Sequence, residues 1–172
     1  MVLGMALFTL VHVVLSLVGI FSGCVVAVGL LTAKRLAGWT AVFLASTVAT
    51  SVTGFGFPFH GLTPAIVVGV ISLVLLAFTI YGRYARHLFG AWRWIYVISA
   101  MIALCLNVLV LIVQLYEKVP ALKALAPTQS EPPFVVTQLA TMALFVGLTL
   151  VATIRFHDER VRAASPVSLP AR

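Results

Sequence analysis

Acidic side chains are almost absent from this chain: there are four Asp and Glu among 172 residues, and only 9% of positions are charged at all, against about 25% in an ordinary soluble domain. The scarcity leaves few of the carboxylates that general acid and base catalysis draws on. It also leaves too little polar surface to cover a water-soluble fold in which 62% of the residues are hydrophobic. The solvent this composition demands is lipid. Cysteine is equally scarce. Cys24 and Cys105 both lie inside apolar runs, so neither a disulfide framework nor a thiolate metal site is indicated, and both read as small packing residues. The stretch "FSGC" ending at Cys24 is a poor lipoprotein cleavage box, because Phe21 stands where leucine is usual and apolar sequence continues on both sides. No Lys or Arg precedes the first apolar run, which is too long for a signal-peptide core, so it reads as a retained helix. There is no H-E-x-x-H, and Gly54 and Gly56 follow no strand, so they form no dinucleotide fingerprint.

What is present is a series of long apolar runs, each near the roughly 20 residues that carry a helix across about 30 Å of hydrocarbon. The pattern predicts an all-α, polytopic transmembrane helix bundle of five spans, about 5–31, 38–57, 64–81, 92–116 and 134–154. Together they form a single bundle over 1–155, followed by a short cytoplasmic tail over 156–172. The breaks carry boundary chemistry: Lys34-Arg35 is a charged turn, and Thr63-Pro64 and "SEPPF" at 130–134 place a capping residue before an N-terminal proline. The longest connection, "KVPALKALAPTQSEPP", has room for one interfacial helical turn around Ala121 to Ala126.

Charge sets the expected direction. Of the 11 basic residues, Lys34, Arg35, Arg83, Arg86, Arg93, Arg155, Arg160, Arg162 and Arg172 fall on one side of a five-span chain, and Lys118 and Lys123 on the other. The positive-inside rule then puts the N-terminus outside and the tail in the cytoplasm. The net charge of +7 follows from this topology and calls for no nucleic-acid partner, which would need a basic soluble surface. Arg83, Arg86 and Arg93, beside Tyr84, Trp92 and Trp94, are expected to meet anionic lipid headgroups.

In lipid, small residues and hydroxyls mark the faces that pack. Ser16, Gly19, Gly23 and Ala27 share one stripe of the first span with His12, and Gly19-xxx-Gly23 is a close-approach pair. Ser46, Thr47, Thr50, Ser51, Thr53 and Gly54 line the second span. Ala100, Ala103, Asn107 and Gln114 line the fourth, and Gln138, Thr141, Phe145 and Thr149 the fifth. At about 1.5 Å per residue, His12 lies roughly 10 Å below the outer boundary, Asn107 about 14 Å, Gln138 about 6 Å and Gln114 near the surface. His60, Glu117 and Glu131 stand at the outer mouth. The candidate ligand pocket is therefore His12, His60, Asn107, Gln114 and Gln138, with Gly19, Gly23, Ser46 and Thr50 as packing residues. The outer turn "TSVTGFGFPFHGLTP" at 50–64 would act as its lid or, through Phe55, Phe57 and Phe59, as an interfacial anchor.

"TSVTGFGFPFHGLTP", "GAWRWIYV", "LNVLVLIVQ" and "KVPALKALAPTQSEPPF" resemble a family of small, uncharacterised bacterial integral membrane proteins, from the second span to the start of the last. The resemblance implies the bacterial inner membrane and carries no catalytic residues with it.

Four functional readings follow. One is a structural or accessory bundle that joins a membrane-protein partner or forms a homo-oligomer. A second binds or conducts a small polar ligand, an ion or protons through the outer pocket. The third is electron transfer on b-type haem, which needs facing histidines, drawn here from His12 and His60 or from His87 and His157. Interfacial placement argues against those pairs. The fourth, a membrane enzyme using Glu117, Glu131 and His60, lacks a positioned nucleophile or metal set.

Overall fold

The computed structural model describes residues 2–57 and 64–156. All its regular elements are helical: α1 (Val2–Leu31), α2 (Ala37–Gly54), α3 (Pro64–Ile80), a π turn at Tyr81–Ala85, α4 (Trp92–Lys118), the short α5 (Pro120–Leu125) and α6 (Pro132–Arg155). Among the described residues, four helical stretches are long and apolar enough to cross a membrane: Gly4–Leu31, Ala65–Ala85, Trp92–Lys118 and Pro132–Arg155. In α2 the hydroxyls of Thr40, Ser46, Thr47, Thr50, Ser51 and Thr53 dilute the hydropathy.

The helix ends differ from the expected spans where local chemistry intervenes. The second span was expected to reach Phe57, but α2 stops at Gly54. There Phe55 N–H turns back to Val52 O at 3.2 Å and Gly56 N–H to Thr53 O at 3.0 Å, tightening the last turn. The third continues past Tyr81 through the π turn, and α4 and α6 each run slightly beyond the expected bounds. Phe156, assigned to the tail, is only 1% exposed and stacks near Tyr96 at 6.2 Å, so it belongs to the core. The remainder of the tail lies outside the described residues.

Helix α4 is the centre of the bundle. It packs against α1, α3 and α6, and buries Tyr96, Val97, Ala100, Met101, Ala103 and Leu104. Helix α2 lies between α1 and α3. It runs antiparallel to α1 along nearly its whole length: Gly29 lies against Leu36, Gly23 against Phe43, Gly19 against Ser46 and Thr47, His12 against Thr53, and Phe8 against Gly56. The periphery is apolar, as lipid requires, with Leu7, Leu10, Phe21, Val136, Leu139, Leu144 and Ile154 exposed. The alternating helix directions gather the 32–36 turn, the 81–91 turn and Arg155 at one end, here called the basic end. The 55–57 turn and α5 lie at the far end.

Candidate functional site

Most polar residues in the apolar slab are bound to a neighbouring helix or to backbone. His12 projects from α1 so that its Nδ1 lies 2.9 Å from Thr53 Oγ1. That hydroxyl sits 2.7 Å from Ala49 O, to which it donates its single proton, so the Nδ1–H tautomer of His12 is assigned as donor to the Thr53 oxygen. The imidazole is half-buried: Phe57 meets it edge-on at 5.1 Å, Phe8 meets Phe57 at 5.1 Å, and its Cε1 lies 3.7 Å from where a side chain on Gly54 would begin. Phe55 packs across the gap onto Gly69 of α3. Phe57 thus lies against His12, while Phe55, though it touches Gly69, remains exposed. Phe59 and His60 lie outside the described residues.

Asn107 donates from Nδ2 to Thr47 Oγ1 at 3.3 Å, tying α4 to α2. Gln138 donates from Nε2 to Leu109 O at 3.3 Å, tying α6 to α4. His12, Asn107 and Gln138 therefore bond three different partners and are not assembled around one another. Gln114, expected to face inward, is exposed. At that level Tyr116 holds the inward position, with its hydroxyl 3.2 Å from both Pro133 O and Thr137 Oγ1 of α6. Two buried polar atoms have no partner, Thr50 Oγ1 and Gln138 Oε1. Thr50 stands one helical turn from Thr47, and Gln138 holds α4 two residues beyond Asn107, so both orphans lie within about one turn of the Asn107 level.

Gly19 and Gly23 lie at close approaches between helices. A Cβ on Gly19 would sit 3.1 Å from Thr47 Oγ1 and 3.3 Å from Ser46 Oγ. One on Gly23 would sit 2.5 Å from Leu104 Cδ1 and 2.9 Å from the Phe43 ring, so α1, α2 and α4 converge there without room for a methyl group. Ser46 donates to Val42 O at 2.6 Å.

The basic half of the slab holds a buried pair: Thr79 donates to Ser99 Oγ at 2.7 Å, and Ser99 donates to Ile95 O at 2.6 Å. Beyond it, Arg83 donates to Tyr96 Oη at 3.2 Å. Single Ser and Thr residues carry no signal of such pairing until the register of α3 on α4 is known.

The other candidate chemistries find less support. His87 is exposed in the turn between α3 and α4, at the end of the bundle opposite His12, and His60 and His157 lie outside the described residues. No group of three or more His, Cys, Asp or Glu gathers among the described residues. Both Glu131 oxygens are engaged locally, Oε1 by Thr128 N–H at 3.1 Å and Thr128 Oγ1 at 3.0 Å, and Oε2 by Ser130 N–H at 3.0 Å. Desolvation pushes this carboxyl's pKa up, but the hydrogen bonds from Thr128 and Ser130 outweigh it and hold it below the ordinary glutamate value. That arrangement orders the turn before α6 and leaves Glu131 a poor base. No family model matches the chain, and no curated protein or solved structure matches it.

Proposed function

We propose that this chain is a five-span, non-enzymatic bundle of the bacterial inner membrane, serving as a structural or accessory subunit for a membrane-protein partner or a second copy of itself. The observation that carries this reading is that five polar residues inside the bundle make helix-to-helix bonds: His12 to Thr53, Asn107 to Thr47, Gln138 to Leu109, Thr79 to Ser99 and Tyr116 to Thr137. Bonds of this kind hold helices in register. The fifth span is α2. Its 18 residues reach about 27 Å, it accompanies α1 from Gly29 to Phe8, and several of its hydroxyls bond their own helix's carbonyls, as Thr40 does to Leu36 O at 2.8 Å. With five spans, the basic end faces the cytoplasm and the N-terminus lies outside.

A second reading, an outer-facing polar pocket, is favoured by one observation: the unpartnered Thr50 Oγ1 and Gln138 Oε1. Cysteines placed at 12, 50 and 138, with Cys24 and Cys105 removed, separate the two when a membrane-impermeant thiol reagent is added outside. A packed bundle leaves all three unlabelled. Labelling at 50 and 138 would establish a water-filled pocket and overturn the structural reading.

A further inference from the structure

We propose that the turn between α3 and α4 binds the phosphate of an anionic phospholipid headgroup, with Arg86 and Arg93 as its charged ligands. The inference rests on the membrane reading, because the turn lies where two candidate spans, Ala65–Ala85 and Trp92–Lys118, end.

The turn is built to one shape. After the π turn, Arg86 N–H reaches Tyr81 O and Leu88 N–H reaches Gly82 O, both at 3.0 Å. His87 and Leu88 take the left-handed region at φ 48° and 62°, a conformation that non-glycine residues hold only when their surroundings impose it. Leu88 supplies that constraint, for it is buried in the core.

The three arginines are divided by the fold. Arg83 is half-buried and committed to Tyr96 Oη at 3.2 Å, which makes it a positioning residue. Arg86 is exposed with its guanidinium 5.7 Å from the Trp92 ring centre, and Arg93 lies 4.8 Å from that of Trp94. A guanidinium stacked on a ring keeps its N–H edges for an acceptor, and phosphate oxygens match that fork. Trp92 is itself fixed, meeting Tyr81 edge-on at 4.9 Å and packing over Gly82. Arg86 lies in the turn and Arg93 in the first turn of α4, so both arginines stand at this end of the hairpin.

The surroundings select a lipid over a free anion. Tyr84, Phe89 and Trp94 are exposed beside the arginines, where aromatic rings occupy the headgroup level of a bilayer. No Asp or Glu occurs from Met1 to Tyr116, so the turn carries no carboxylate of its own to neutralise the cations.

The test is a thermal melt of the full-length, detergent-solubilised protein titrated separately with phosphatidylglycerol, phosphatidylcholine and inorganic phosphate. Phosphatidylglycerol alone is expected to raise Tm. In the R86Q/R93Q variant the midpoint of that rise should move to roughly 25-fold more lipid, at about fivefold per arginine. R83Q should melt lower without lipid yet keep the phosphatidylglycerol response. An unshifted midpoint in R86Q/R93Q, or an equal rise with phosphatidylcholine, overturns the site, and a rise reproduced by inorganic phosphate overturns the lipid as its source. Should R86Q/R93Q fail to fold, Trp39→Phe leaves Trp92 and Trp94 as the only tryptophans. Quenching them more strongly with brominated phosphatidylglycerol than with brominated phosphatidylcholine supports the site, and equal quenching overturns it. Failure of the membrane reading shows separately, as extraction of the protein without detergent.

Discussion

At the scale of single residues, the hydrogen-bond and steric geometry ranks substitutions that look alike in the sequence. Gly23→Ala is expected to cost about 1–3 kcal/mol, because its methyl group would enter space held by Leu104 and Phe43, both almost fully buried. Gly19→Ala should cost less, since the nearest atoms are hydroxyls at 3.1 and 3.3 Å, but it presses on the Thr47 oxygen that accepts from Asn107. Gly147, with nothing within 4 Å, should tolerate alanine or gain from it, and Leu17→Val on an exposed face should fall within about 0.5 kcal/mol. Detergent thermal melts of the four variants test the order, and equal losses at Gly23 and Gly147 would remove the close-approach argument. For His12, replacement by leucine leaves the Thr53 hydroxyl still bonded to Ala49 O. The His12→Leu, Thr53→Val double-mutant cycle should therefore return a coupling of only about 0.6 kcal/mol. A coupling well above about 2 kcal/mol would point to a role for His12 beyond packing.

Single elements have their own dependences. The turn before α6 is held by the Glu131 carboxylate, whose folded pKa lies below its ordinary value of 4.5. A depressed carboxyl pKa gives stability that is present above the unfolded pKa and lost as pH falls through the folded one. The melting temperature of the wild type should thus fall toward that of Glu131→Gln as the solution is acidified below about pH 4.5. The gap between the two proteins should be widest near neutral pH, and a gap that is constant with pH would show that the carboxylate does not hold the turn. In the α3–α4 hairpin, Tyr96→Phe removes the acceptor of Arg83 while leaving the ring in place. Its cost should largely vanish in an Arg83→Gln background, because the two changes delete one interaction.

For the whole molecule, the number of crossings decides everything said about sides. With α2 as a span, reporter fusions at the N-terminus and after Arg155 should report opposite faces, the first outside and the second cytoplasmic. A C-terminal alkaline phosphatase active in the periplasm would remove α2 from the count, because the four most apolar stretches alone return the chain to its starting side. The packing of α2 against both α1 and α3 makes the five-span outcome the expected one.

The sequence by itself determined that this is a helical chain built for lipid and where most of its helices begin and end, because hydropathy, prolines and charged turns act locally and are read in order along the chain. It also carried the small-residue stripe of Gly19 and Gly23, since a stripe at helical spacing is a property of one helix alone. Only the tertiary structure decided what the polar side chains do. That His12 meets Thr53, that Tyr116 rather than Gln114 faces α6, that Thr79 finds Ser99, and that Arg83 turns inward while Arg86 stays exposed all depend on the rotation and register of one helix against another. A helix shifted by a single residue turns its side chains by about 100°, so a pairing between helices cannot be read from either one taken alone.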